Sequence, residues 1–357
     1  MTTAAFSAAM RGKAQTVLGP VDPSLLGRTM MHEHLVIQMA HVAKAPREPA
    51  AQAEFYAPLT LETLGRIRFG GIANCDNCNL TDAATAASEL RRYCSAGGRT
   101  IVDATSIGIG RDPMALTRIA RATGLNIVMG CSYYVEENYP ADEGVHAASE
   151  AELADRIVDE IVNGVSGTGV RPGLIGEVGC SWPITACEIK VLRASAAAQR
   201  ATGAALMVHP GRHGEAPFEI AAILREAGAD LERTVLCHID RTIADRPALR
   251  RLAETGCIIE FDLFGSEGSY YAWTLPVDMP NDAARINLLQ WLIAEGFGGQ
   301  LVVSHDICFK DKLATYGGHG YAHILENVVP LMRRKGMADD AVAMMLVETP
   351  RRLLTFA

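Results

Sequence analysis

Eight short apolar runs recur along the chain, at 29–35, 100–106, 126–132, 173–178, 204–209, 234–239, 257–263 and 301–305. They are continuous rather than alternating, the pattern of parallel strands covered on both faces. The segments between them carry apolar residues at the 3.6 spacing of a helix: 82–94, 112–123, 150–163, 184–202, 217–227, 246–255 and 282–295. The clearest is 184–202, with Ile189, Leu192 and Ala196 on one stripe and Gly203 as a stop signal. A last helical region begins near His323 and is interrupted at Pro330. Eight strands alternating with helices predict an α/β fold, a closed (β/α)8 TIM barrel spanning 1–357 as one domain. An open doubly wound sheet is the alternative, but it usually carries a Gly-rich turn after its first strand, and none follows here. Residues 41–81 break the rhythm. This stretch is long, rich in Ala, Pro, Asn and Gly, and follows strand one. It reads as an insertion, either a lid over the mouth of the barrel or a peripheral decoration.

Composition narrows the function classes. The chain has 357 residues, 49% hydrophobic and 21% charged, which is ordinary globular material. Its net charge of −8, without blocks of like charge, argues against nucleic acid or an anionic membrane as partner. Residues 1–19 lack a continuous apolar h-region, so no signal peptide is expected. No run of 18 apolar residues exists to span a membrane. Nine cysteines are scattered, several inside apolar runs (Cys131, Cys180, Cys237, Cys257, Cys308). They read as buried free thiols of a reducing cytoplasm. Cys75 and Cys78 form a lone CxxC with no second pair at zinc-site spacing, and are assigned to a loop.

Candidate chemistry gathers at the strand ends. His32 and His34 stand two apart on strand one, so both imidazoles point the same way. Glu177, His209, His238 and Asp306 close strands four, five, six and eight. Barrel active sites lie at those C-terminal ends. One histidine at a strand end is usually structural; the coincidence across five strands carries the inference. A carboxylate buried in Ile175-Gly176-Glu177-Val178-Gly179 is costly unless paired or metal-bound, and the same holds for Asp306. Four imidazoles and two carboxylates suit two divalent metal ions, Zn²⁺ first, Mn²⁺ or Co²⁺ next, with Glu177 as the bridge. His305 should point away from the axis. His41 and His146 fall in loops, while His213, His319 and His323 follow strands five and eight, where they would line the mouth. Arg212 lies three residues past strand five and Arg241 two residues past strand six. With His319 they are candidate contacts for a small anionic substrate. The alternative is that they pair with Asp240 and Asp262.

Several stretches resemble a known family. They are Gly27-Arg28-Thr29-Met30-Met31-His32-Glu33-His34, Ile175-Gly176-Glu177-Val178-Gly179-Cys180-Ser181-Trp182-Pro183, Val208-His209-Pro210-Gly211-Arg212 and Tyr316-Gly317-Gly318-His319-Gly320-Tyr321. Over nearly its whole length the chain resembles the phosphotriesterase family of the amidohydrolase superfamily. It looks closest to the phosphotriesterase-related branch, whose animal members are known as N-acyltaurine amidases. The resemblance implies a binuclear hydrolase working through a metal-bridging hydroxide. His32, His34 and Asp306 would hold the buried ion and His209 and His238 the exposed one. It implies Asp306 as proton acceptor, Tyr134 beside the metals as in lactonase members, and a homodimer. Organophosphate-hydrolysing members bridge with a carboxylated lysine where Glu177 stands, and run a proton relay through positions that here look like Leu263 and Arg241. Amide cleavage in a small anionic, N-acetyltaurine-like substrate is therefore the leading expectation. A lactonase, a carboxylesterase, a promiscuous organophosphate hydrolase or a non-catalytic ligand-binding barrel are the alternatives.

Overall fold

A computed structural model describes residues 2–70, 74–268, 270–271, 274 and 277–357. Eight parallel strands form a TIM barrel: β1 Arg28–Glu33, β2 Gly98–Asp103, β3 Asn126–Met129, β4 Leu174–Gly179, β5 Ala205–His209, β6 Thr234–Leu236, β7 Ile258–Phe261 and β8 Leu301–Val303. Strands β1 to β3 pair in one run and β4 to β8 in another. Backbone bonds close the two seams. Gly173 and Gly176 donate to Met129 and Cys131 at 3.0 and 2.7 Å, and Asp306 donates to His32 at 3.1 Å. All eight predicted strands are present.

Alternation along each strand splits the apolar residues into two layers. Met31, Val102, Val128, Leu174, Met207, Val235, Ile258 and Val302 fill the barrel interior. Met30, Ile101, Ile127, Ile175, Leu206, Leu236, Ile259 and Val303 face the helices. Those helices are α1 Ala83–Ser95, α2 Pro113–Thr123, α3 Glu150–Asn163, α4 Ala186–Thr202, α5 Ala216–Glu226, α6 Arg246–Ala253 and α7 Asp282–Ala294. Their ends follow local chemistry. Ser149 and Thr185 open α3 and α4 with capping boxes, and Gly203 closes α4 at φ 76°. The helical region expected from His323 runs from Ile324 through a wide π turn into Val329–Arg334, with the turn placed just before Pro330; it is not the last, since a further helical stretch covers Asp339–Leu354. Among the described residues no helix is long and apolar enough to cross a membrane.

Other elements lie outside the alternating pattern, among them helix Thr3–Met10 and the C-terminal stretch Asp339–Leu354. An antiparallel hairpin, Ala14–Thr16 with Gly19–Val21, packs Ala14 against Leu353 and Leu354 in the interior layer, at the floor of the barrel. The insertion after β1 is anchored by Ile37–Gln38 pairing with Asn79–Leu80 and carries helices Pro49–Phe55 and Leu61–Gly70. Residues 71–73 of it lie outside the described residues. Arg68 donates to the carbonyl of Asp311 at 3.1 Å, and Tyr270 donates to that of Phe69 at 2.9 Å. The insertion thus rests on the loops after β7 and β8. Cys75 and Cys78 stand in its turn, where burial lifts the Cys78 thiol to about 12.

Candidate metal centre

The β1–β2 register shifts between Met30 and Glu33. Strict alternation is lost there, and His32 turns inward above Met31. His34 follows two residues on. His238 and Asp306 both take left-handed backbone angles, φ 55° and 50°, at the ends of their strands. Glu33 clamps the second of these turns. One of its oxygens accepts from Ser304 Oγ, His305 N and His305 Nδ1 at 2.8, 3.0 and 2.6 Å. The other accepts from Ile307 N at 3.1 Å. His305 points away from the axis, as expected.

The far nitrogen of three imidazoles is held from behind. His34 Nδ1 meets Thr105 Oγ1 at 2.9 Å, His238 Nδ1 meets Asp262 Oδ1 at 2.9 Å, and His32 Nδ1 lies 3.2 Å from Asp262 and 3.4 Å from Glu260. Such partners fix ring orientation and leave Nε2 directed at a shared point. There, Glu177 touches all four imidazoles. Its Oε1 is 3.4 Å from His34 Nε2, and its Oε2 is 3.0, 3.5 and 3.6 Å from His209 Nδ1, His238 Nε2 and His32 Nε2. Asp306 Oδ1 stands 3.2 Å from His34 Nε2 and 3.8 Å from His32 Nε2. All six residues named from the sequence converge.

The donor set fits divalent cations. The groups His32–His34–Asp306 and His32–Glu177–His238 each bring their donor atoms within 4.8 Å of one another. His32 Nε2 is buried without a hydrogen-bond partner, a state that a metal bond relieves. Charge is unbalanced when only protein groups are counted. Burial disfavours the charged form of His34, yet the Asp306 and Glu177 carboxylates outweigh it and lift its pKa to about 9. Burial and the neighbouring His238 push His209 down to about 3. Burial raises Glu260 to about 7. A bound cation takes over the compensating role of those protons.

A cavity of about 160 Å³ opens above this cluster. Tyr134, Arg212 and Arg241 line it. The Tyr134 ring packs edge-on to His209 at 5.1 Å. Burial and the Glu177 carboxylate hold its phenol well above the ordinary value, so it is a neutral donor. Tyr271 sits between the two guanidiniums, its ring centre 5.9 Å from Arg212 and 5.4 Å from Arg241. Arg212 Nε donates to its hydroxyl at 3.1 Å. Arg241 is 5% exposed, and its Nη2 has no hydrogen-bond partner. The carboxylates named as alternative partners are engaged elsewhere: Asp240 by Arg285 at 2.6 Å and Asp262 by His238. Strand order separates the walls. The cationic side follows β5 and β6, while Ile37, Met39, Ile109 and Phe309 come from the loops after β1, β2 and β8.

His319 is placed differently from the expectation. It does not line this cavity but packs behind it, 5.6 Å from His305 and 5.2 Å from His323. Gly265, at φ 80°, admits the ring, because a Cβ there would lie 2.5 Å from it. His323 bonds Asp282 at 2.7 Å, and His213 stacks on Trp182 at 4.4 Å. Sequence reasoning missed Glu33, Thr105 and Glu260, and saw in Asp262 only an arginine partner. The signal lay in 258–262, where two carboxylates interrupt an apolar run.

Known proteins resemble the chain over nearly its whole length. A protein named N-acetyltaurine hydrolase from Salmo salar is 42% identical over 349 residues, covering 98% of this chain and 99% of that one. The protein of that name from Homo sapiens is 42% identical over 348 residues, covering 97% and 99%. A solved structure described as a resiniferatoxin-binding protein from Rhodobacter sphaeroides superposes with a TM-score of 0.92 at 39% identity, covering 97% of this chain and 96% of that one. The model of the Phosphotriesterase family matches residues 12–354. The chain therefore belongs to the phosphotriesterase family and is a metal-dependent hydrolase acting on a small molecule.

Proposed function

We propose that this enzyme hydrolyses the amide bond of N-acetyltaurine or a closely related amide bearing an acid group. The observation that carries the reading is Arg241. A buried guanidinium with an unused N–H, in the same cavity as the histidine cluster, is a standing site for a substrate anion. Tyr271 holds Arg212 beside it, so two charged forks face one acid group. The name carried by the Salmo salar and Homo sapiens relatives points the same way.

His32, His34 and Asp306 would hold one ion and His209 and His238 the other, with Glu177 between them. Zn²⁺ is the first choice for these nitrogen and oxygen donors. When bound, the two ions supply a Lewis acid for the carbonyl oxygen and acidify the attacking water. Asp306 accepts the water proton and delivers it to the departing amine nitrogen. Tyr134 donates a hydrogen bond to the oxygen on which charge develops. Arg212 and Arg241 fix the acid group, which orients the amide over the cluster. The helix Leu61–Gly70, which places Ile67, Arg68 and Phe69 on the cavity wall, acts as a partial lid over one domain spanning the chain. Nine free cysteines support a reducing, cytoplasmic setting, and the family resemblance supports a homodimer.

The test compares Arg241→Met with the parent enzyme on N-acetyltaurine and on a neutral ester. Loss of one charge-assisted hydrogen bond, about 1.5–3 kcal/mol, should raise KM for N-acetyltaurine roughly tenfold or more and leave the ester nearly unchanged. Equal effects on both would remove acid recognition from the reading. Tyr134 beside His209 also suits ester-like acyl substrates. Assays of a homoserine lactone and of paraoxon alongside N-acetyltaurine separate those activities.

A further inference from the structure

A second group of metal-ligating side chains lies away from the cavity. Glu136, His146 and Cys187 place a carboxylate oxygen, an imidazole nitrogen and a thiol sulfur within 4.8 Å of one another. His146 Nδ1 is 3.2 Å from Glu136 Oε1. A tetrahedral zinc site with bonds of about 2.0–2.3 Å sets its donors about 3.3–3.8 Å apart, close to the spacing of the Glu136–His146 pair. The three come from two segments that are tied together independently of any ion. Lys190 of α4 donates to the carbonyls of Val145, His146 and Ala148 at 2.9, 3.0 and 2.7 Å. Glu188, beside Cys187, accepts from the N–H of Glu136 at 3.1 Å. A second observation points to a ligand here. The Tyr139 hydroxyl is buried without a hydrogen-bond partner, and its ring centre lies 6.0 Å from that of His146.

We propose that Glu136, His146 and Cys187 form a further, mononuclear site for a divalent cation of the zinc class, with an outer position left to solvent or to the Tyr139 hydroxyl. One nitrogen, one sulfur and one carboxylate oxygen are the donors that such an ion prefers. The ion joins the loop after β3 to the first turn of α4. Glu136 of that loop stands two residues after Tyr134. The assignment is independent of the substrate reading, since none of its residues touches the cavity.

The probe is Co²⁺. The six residues of the main cluster contain no sulfur, but Cys237 lies with His32, Glu260 and Asp262 behind it, so a thiolate-to-Co²⁺ charge-transfer band in the near ultraviolet is assigned to this site only where Cys187→Ser removes it. The full-length protein, loaded with Co²⁺ and dialysed, should show this band. Cys187→Ser and, separately, the exposed His146→Ala should each lose the band and one metal equivalent per chain, with hydrolysis unchanged. His146→Ala keeps the test open where Cys187→Ser folds poorly. Three results would overturn the assignment: no band in the parent, a band retained in both variants, or an ion that dialysis removes from all three proteins alike, which is adventitious binding. Loss of hydrolysis with the band intact would instead count against the reading of the main cluster.

Discussion

Asp306 concentrates the chemistry of the molecule in one residue. Its left-handed backbone is uncommon outside glycine and is held from both sides by Glu33, which binds the N–H groups of His305 and Ile307. The carboxylate therefore meets His34 in a fixed position. Asp306→Asn should reduce turnover by about 10²–10⁴-fold, the usual worth of a placed acid–base group. Much of the metal should remain bound, because five other ligands are intact. Turnover assays beside elemental analysis check both statements, and near-normal turnover would refute the role. Glu33→Gln keeps the size but turns an N–H towards donors. It should lower stability by about 1–3 kcal/mol, read from urea unfolding, and slow turnover because Asp306 is no longer clamped. His32, His34, Glu177, His209, His238 and Asp306 were legible as residues because strand ends and buried polar groups leave marks in sequence. Glu33 was not, since a carboxylate between two histidines carries no sign of whom it binds.

At the level of the element, α7 reaches back under the loop after β7. Arg285, fully buried, joins Asp240 to Asp282 and donates to the carbonyl of Ser266 at 2.9 Å. Burial works against ionised Asp282, but hydrogen bonds from His323 and the Gly265 N–H, with Arg285 nearby, hold its pKa below 3.8. A carboxylate depressed in the folded state contributes stability above its unfolded value, and loses it as pH falls through the folded one. Asp282→Asn should therefore be less stable than the parent at neutrality, with the gap narrowing below pH 3.8. Urea midpoints followed downward from neutral pH measure this; a gap that stays constant would exclude the linkage. The eight strands and seven helices were legible because periodicity reports which face is covered. The floor hairpin and the two helices of the insertion were not. They are stabilised by long-range packing rather than by a periodic face, and the register shift at which His32 turns inward beside His34 is likewise announced by no residue type.

For the whole molecule, fold and metals are coupled. Five buried ionisable residues and the partly buried Asp306, which repel or neutralise one another without cations, should make the ion-free chain less stable and inactive. Exhaustive chelation is expected to abolish hydrolysis and lower the melting temperature, and Zn²⁺, Mn²⁺ or Co²⁺ to restore both. Full activity in material shown to be free of metal would refute this. The barrel was readable at this scale and the insertion was marked at 41–81, while its placement, left open between lid and decoration, was not, because it is set by bonds such as Arg68 to Asp311 between distant stretches. The circular order of the strands has one more consequence. Arg212 and Arg241 occupy the arc after β5 and β6, while Ile37, Met39, Ile109 and Phe309, with Arg68 and Lys312 among them, line the arc after β8, β1 and β2, so the two halves of a substrate are judged by different loops. Selectivity for the acyl portion should then be adjustable at Ile109 or Met39 without disturbing preference for the acid, which makes this rim two separate dials for engineering.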